Sequence, residues 1–177
     1  MGNKIAVMGV SNNAIGFDFD AEVVYFFRKG WTAKTLKLVN IAIPFERITA
    51  IELVKPTTWE AGRIAVIVDG VRLLAEDMQF ENNASDLSVG DSMYPLISRA
   101  VERLVAGCPW IQLVNGMLNV PKSKTQQEFA TDVDYKTFSK CCDKGDVLQT
   151  KGASVGELLL ILIIGLVCIY LLFKFLM

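Results

Sequence analysis

The sequence predicts an α+β domain in which a curled antiparallel sheet, or a partly open barrel, of six or seven strands is capped by one C-terminal helix. One transmembrane helix is predicted to follow. Three observations lead to this plan. Residues 15–80 are short apolar runs separated by turn formers, a single amphipathic helical stripe comes next, and sixteen uncharged residues lie at 158–173.

The apolar runs that predict strands are rich in β-branched and aromatic residues. Asp69-Gly70 separates two of them and is typical of a two-residue hairpin, so adjacent strands are expected to pair antiparallel. Run 64–68 is apolar on both faces, which predicts a central strand, whereas 49–52, from Thr49 to Glu52, is expected to be half exposed. The predicted strands are residues 16–19, 23–27, 36–43, 48–54, 63–68, 71–75 and 78–80.

The helix is predicted from a change of period after the strands. Asp91 or Ser92 can cap its start, and Gly107 followed by Pro109 ends it. An amphipathic helix at this position is expected to plug the open end of the sheet. Its apolar stripe is Met93, Leu96, Ile97, Ala100, Val101 and Leu104.

The uncharged run near the C-terminus predicts a membrane span. At 1.5 Å per residue its helix is about 24 Å long, and about 30 Å when extended from Leu158 to Met177, which matches the hydrocarbon core of a bilayer. A buried core helix is the alternative, but such a helix normally shows a polar stripe, and this one does not. The predicted division is a domain at 1–109, a partly ordered connector at 110–156 and the transmembrane helix at 157–177.

The orientation of the span follows from the N-terminal residues. After Lys4 the apolar run is too short for an export signal, so the body is expected to stay on the cytoplasmic side as a tail-anchored protein. Lys144 and Lys151 before the span agree with the positive-inside rule, although Lys174 beyond it weakens the asymmetry. The expected location is the cell membrane, single-pass, with a cytoplasmic N-terminal domain.

Composition removes several function classes. The 18 basic and 19 acidic residues leave a net charge of −1, which argues against nucleic acid as a partner. The chain has no histidine, so histidine-based catalytic dyads and zinc sites are excluded. No motif predicts a catalytic, cofactor-binding or metal-binding residue, and we expect no enzyme activity. Asp18 and Asp20 could form a carboxylate pair on one strand face, but a charge cluster at a hairpin end is favoured.

The four cysteines do not pair as a metal or redox motif. Cys108, Cys141, Cys142 and Cys168 show no CxxC spacing, and a cytoplasmic location predicts reduced thiols. The adjacent Cys141-Cys142 leaves two interpretations open, a palmitoylation or redox site on one hand and ordinary thiols on the other.

Two segments resemble a known family. One strand ends in Ile43-Pro44, an acidic–basic pair follows, and the next strand opens with Ile48. Further on, Lys55-Pro56, Trp59 and Gly62-Arg63-Ile64 lead into the central strand. These segments resemble the bacterial pleckstrin-homology-like families of uncharacterised function, over residues 14–107. The motifs consist of turn and core residues, so the resemblance implies a fold and not a site.

A basic connection between two predicted strands is the one suggestive surface feature. In eukaryotic relatives of the resembled fold an early basic loop holds phosphoinositide headgroups, so contact with anionic lipid is expected here by analogy with that fold alone. The alternative is ordinary solubilising charge on a hairpin. The predicted lipid-binding residues are Arg28, Lys29, Trp31, Lys34 and Lys37.

Two functions remain. The first is a non-enzymatic binding module, a pleckstrin-homology-like domain tethered to the cytoplasmic membrane face that holds a protein partner or anionic lipid. The second is a structural subunit of a larger membrane-associated assembly, in which the span packs on other spans.

Overall fold

The computed structural model describes residues 2–8, 13–28, 39–57, 62–80, 93–123 and 127–148. Within these ranges the chain is α+β, with two five-stranded sheets that do not close into a barrel. Two α-helices and three short 3-10 turns complete the described elements. The predicted α+β class is therefore confirmed.

Sheet A is an antiparallel meander that gains one short parallel strand. Its four consecutive strands pair in chain order, and β10 pairs with β1 at the edge. The strands are β1 (Lys4–Met8), β2 (Asn13–Asp18), β3 (Val23–Arg28), β4 (Ile41–Pro44) and β10 (Val147–Leu148).

Sheet B has three long antiparallel strands and two short parallel strands at its edges. Its order is β8-β5-β6-β7-β9, so β6 is central, as its two apolar faces predicted. The strands are β5 (Ile48–Val54), β6 (Gly62–Val68), β7 (Val71–Phe80), β8 (Gln112–Val114) and β9 (Lys122–Ser123).

One apolar core joins both sheets and the long helix α1 (Met93–Gly107). Ile15 and Phe17 of sheet A share it with Ile51 and Ile64 of sheet B, and all four side chains are fully buried. The predicted helical stripe is confirmed, since the six apolar residues named for it are the buried residues of α1. The helix thus covers the core, as an amphipathic helix with a 3.6-residue period must.

The strand prediction needs three corrections. The single curled sheet is in fact two sheets, because β4 ends at Pro44 and a 3-10 turn at Phe45–Arg47 intervenes before β5. Segments 71–75 and 78–80 form one strand, β7. Strand β1 was not predicted at all, because its apolar run was considered only as a possible export signal. Antiparallel pairing of adjacent strands holds within each sheet.

The outer face of sheet A is covered by a second, smaller apolar cluster. The short helix α2 (Tyr135–Lys140) contributes Tyr135 and Phe138, whose rings lie 5.6 Å and 5.5 Å from that of Phe27. Asp134 caps α2 by accepting from the Thr137 N–H at 2.9 Å. Position 16 must be glycine, because a Cβ there would lie 2.6 Å from the Phe138 ring.

No helix within the described ranges is long and apolar enough to cross a membrane. The predicted transmembrane helix at 157–177 lies outside the described residues. The span therefore stays a prediction.

Candidate interaction surfaces

The strand register of sheet A defines two ends of the sheet. At one end Asn13 pairs with Arg28, and Met8 pairs close by with Ala14. Because β10 runs parallel to β1 and Leu148 lies opposite Val7, the chain leaves β10 toward this same end. We call it the exit end; its strand termini are Met8, Asn13, Arg28, Ile41 and Leu148. The opposite, or turn, end has Lys4, Asp18, Val23 and Pro44.

Arg28 is the only one of the five predicted lipid-binding residues that falls within the described ranges. Its N–H donates to Asn40 Oδ1 at 2.8 Å, and its guanidinium carbon lies 5.8 Å from the centre of the Phe26 ring. Asn40 Nδ2 in turn donates to the Val133 carbonyl at 3.0 Å. Both described flanks of the basic connection, Arg28 and Val39, therefore lie at the exit end. Lys29, Trp31, Lys34 and Lys37 lie outside the described residues.

The turn end holds the aspartates that resembled a carboxylate pair. Asp18 Oδ1 accepts from the N–H groups of Asp20 and Ala21, both at 3.1 Å, which shapes the β2–β3 turn. Asp18 Oδ2 lies 2.6 Å from Lys4 Nζ, and this hydrogen bond raises the pKa of Lys4. Asp20 accepts from Asn3 Nδ2 at 2.8 Å. Asp18 ends β2 and Asp20 lies in the turn that follows, which is the arrangement of a hairpin-end charge cluster, and the two carboxylates accept hydrogen bonds from different groups.

The C-terminus of α1 also lies at the turn end. Arg103 Nη1 donates to the Gly2 carbonyl at 2.8 Å, and Nη2 donates to Asn3 Oδ1 at 3.0 Å. The same guanidinium carbon lies 4.0 Å from the centre of the Phe19 ring, within cation–π range. The chain that follows α1 therefore begins at the end of sheet A opposite to the exit end.

A buried ionic cluster lies on the outer face of sheet B. Glu52 was expected on a half-exposed stretch, but it is 0% exposed. Its Oε1 accepts from Arg72 Nη2 and, at 2.5 Å, from the Leu118 N–H, while Oε2 accepts from Arg63 Nη2 at 3.2 Å. The earlier expectation was wrong because these partners are distant in sequence and replace the water that a surface carboxylate would bind.

This cluster fixes residues 110–121, which we call the strap. The strap leaves α1, forms β8 beside β5, crosses the outer face of sheet B and ends before β9, beside β7. Leu118 is held by Glu52, and the Pro121 carbonyl accepts from the Arg72 N–H at 2.8 Å. Hydrogen bonds at both points hold the strap against the sheet.

The strap displays apolar side chains to solvent. Trp110 is 55% exposed, Leu113 37% and Met117 65%. Sequence reasoning missed them, although one signal was present: residues 104–121 contain no charged side chain. A long uncharged stretch on a surface is unusual, because exposed positions generally carry most of the charge of a domain.

The three described cysteines are free thiols with different surroundings. Cys108 is buried, Cys141 is exposed, and burial raises the pKa of Cys142 to about 11. Cys141 and Cys142 follow α2 directly, and charge from Lys4 and Asp18 acts on Cys142, so the pair lies near the turn end. Cys168 lies outside the described residues.

Comparison of the chain with protein-family models, curated protein sequences and solved structures finds no match. Within the described ranges, no three histidine, cysteine or acidic side chains are grouped as ligands of a metal ion. The candidate surfaces are therefore the exit end of sheet A, with its basic connection, and the apolar strap on sheet B.

Replacing Glu52 with Ala is expected to destabilise the domain by about 3–5 kcal/mol, because Arg63 and Arg72 lose their buried counter-charge. Chemical denaturation measures this loss, and hydrogen exchange at the Leu118 amide should accelerate by more than tenfold. The matched control is Glu46→Ala at an exposed position, which should change stability by no more than about 0.5 kcal/mol. Equal destabilisation by the two variants would contradict the role assigned to Glu52.

Alkylation with iodoacetamide at pH 8 should modify Cys141 at least tenfold faster than Cys142. With a pKa of about 11, only about one Cys142 thiol in a thousand is the reactive thiolate at pH 8. Raising the pH toward 11 should increase the Cys142 rate steadily, as long as the fold persists. Peptide mapping by mass spectrometry follows each site. Comparable rates for both cysteines at pH 8 would contradict the partial burial of Cys142.

Proposed function

We propose that this protein is a membrane-tethered, non-enzymatic binding module. A cytoplasmic pleckstrin-homology-like domain is held at the cell membrane by a single C-terminal span, and its exit end contacts anionic lipid headgroups. Seven antiparallel strands followed by one helix on the shared core support the pleckstrin-homology-like interpretation.

The observation that carries the proposal is the parallel pairing of β10 with β1. This register directs the chain toward the exit end at Leu148, which is also where Arg28 ends β3. The chain segment from Leu148 to Leu158 is at most about 35 Å long when fully extended, so the predicted span would keep the domain close to the bilayer. The basic connection therefore starts at the same end of sheet A from which the chain would continue toward the membrane.

The charge of the basic connection suits an anionic surface. Residues 28–37 contain four basic and no acidic side chains. Each basic side chain near such a surface contributes about 1 kcal/mol, within a Debye length of about 8 Å at physiological salt. Trp31 can add interfacial anchoring that salt does not remove. Because the span already confines the domain, even this weak attraction is enough to orient it.

A structural subunit of a membrane-associated assembly is the second candidate, and the exposed strap favours it. Trp110, Leu113 and Met117 are exposed apolar residues of the strap on sheet B, whereas the described flanks of the basic connection, Arg28 and Val39, lie at the exit end of sheet A. A protein partner that covers them is compatible with lipid contact at the exit end. The two functions therefore differ in whether a stable protein complex forms.

Cutting the chain after Lys151 is expected to convert a carbonate-resistant membrane protein into a soluble one. The reason is that residues 158–177 supply the apolar length for a span, whereas every described helix and strand ends by Leu148. Carbonate extraction of membranes from expressing cells measures the change, and far-UV circular dichroism checks that residues 1–151 remain folded. A truncated protein that still resists carbonate would contradict the assignment of the anchor.

Residues 1–151 should float with vesicles that contain anionic lipid and not with neutral vesicles. Changing Arg28, Lys29, Lys34 and Lys37 together to Ser should weaken this binding at least tenfold at low salt. The matched control changes four exposed basic residues elsewhere, Arg99, Lys136, Lys140 and Lys144, to Ser, so that the net charge is the same. If the wild-type domain ignores anionic vesicles at low salt, or both variants lose binding equally, the lipid-contact proposal fails.

A further inference from the structure

The strap places an uncharged strand at the edge of sheet B. Within the described ranges β8 is the outermost strand on its side, and its only strand partner there is β5. Edge strands avoid pairing with another chain by being very short or by carrying a charge or a proline. The edge strand β4 ends in Pro44 and the two-residue β9 contains Lys122, whereas β8 is short but has neither a charge nor a proline among Gln112, Leu113 and Val114.

The chain that follows β8 is fixed in place. Hydrogen bonds from the Leu118 N–H to Glu52 and from the Arg72 N–H to the Pro121 carbonyl hold it four and seven residues beyond the end of β8. A preorganised strand loses little conformational entropy when a second strand pairs with it. Leu113 on β8, and Trp110 and Met117 beside it, are exposed apolar side chains, so their burial is favourable.

The absence of charge favours a second copy of this chain as the occupant. In a two-fold interface the same surface patch of both copies is in contact. A charged residue near the axis would therefore face the identical charge on the other copy. Residues 104–121 have no charge to repel in this way. A charged partner, by contrast, would find no counter-charge on the strap.

We propose that β8 pairs antiparallel with β8 of a second copy, about a two-fold axis at Leu113. Leu113 is the central residue of β8 and would face its own equivalent. Trp110 and Met117 lie three residues before it and four after it. The two-fold therefore brings the indole of one copy toward Gly116 and Met117 of the other, where a sulfur–aromatic contact is favourable. A Cβ added at Gly116 would meet no atom of the described residues within 4 Å, which leaves room for that indole.

The predicted interface is small. Three partly exposed side chains present only a few hundred Å², less than the roughly 800 Å² per partner of a standard stable interface. The dimer should thus be weak for free domains and should form readily when copies share one membrane, since tethering raises their effective concentration. This last point rests on the proposed membrane function, whereas the pairing itself does not.

The test is disulfide formation in the full chain, in membranes, with Cys141, Cys142 and Cys168 changed to Ser. In the predicted register the two copies of residue 113 have Cα atoms about 4.5–5.5 Å apart, within disulfide range. Leu113→Cys should therefore give a covalent homodimer on mild oxidation. Gln112→Cys is the control on the same strand, because its copies lie about 7–8 Å apart and should crosslink at least tenfold less. Glu102→Cys on exposed α1 reports random collision.

A second measurement covers variants without added cysteine. Leu113→Lys places two positive charges opposite each other at the axis. In detergent, the protein concentration at which half of the chains are dimeric should rise at least tenfold, and the melting temperature should not change. Val39→Lys, at a site with nearly the same exposure (38% against 37% for Leu113), should leave it unchanged. Leu113→Cys crosslinking no better than Glu102→Cys, or forming only products with other proteins, would overturn the proposal. Repeating the oxidation on concentrated residues 1–151 separates this outcome from failure of the membrane anchor.

Discussion

Both sheets of this protein have buried side chains on two faces, and the chain must cover all four. The inner faces pack against each other and α1, which leaves the outer faces of β2, β3, β5 and β6 to be shielded. Residues 110–148 perform this shielding. The strap crosses sheet B, and α2 packs its aromatic rings on sheet A. Residues 110–148, predicted as part of a partly ordered connector, are therefore folded onto the two sheets.

The sequence predicted best what depends on local periodicity. The stripe of α1 repeats every 3.6 residues and needs no knowledge of its partner, so all six of its buried residues were identified. The same holds for β6, whose two apolar faces indicated a central strand. Glu52 could not be predicted as buried, because its burial depends on Arg72 and the backbone of Leu118, which lies 66 residues away. Short parallel strands such as β8 and β10 lack enough residues for any pattern to emerge.

The candidate surfaces occupy different parts of the domain. The described flanks of the basic connection, Arg28 and Val39, lie at the exit end of sheet A, which is the end that we propose faces the bilayer. The strap begins at the opposite end, after the C-terminus of α1, which Arg103 fixes to Gly2 and Asn3. Lipid contact at the exit end would therefore not cover Trp110, and one molecule can use both surfaces at once. Only the basic connection was suggested by sequence, because clustered charge is visible along the chain, whereas an exposed apolar group requires knowledge of burial.

The position of β10 has a mechanical consequence. If the proposed span anchors the chain, a pull on its C-terminal part would, among the described residues, act first on the two residues of β10, at the edge of sheet A. After β10 detaches from β1, the load reaches α2 and its rings on Phe27. The core shared by the sheets and α1 lies further along the chain and bears the load last. The domain would thus unfold under tension in steps. Detachment of β10 and α2 would expose the aromatic outer face of sheet A around Phe27 before the core opens.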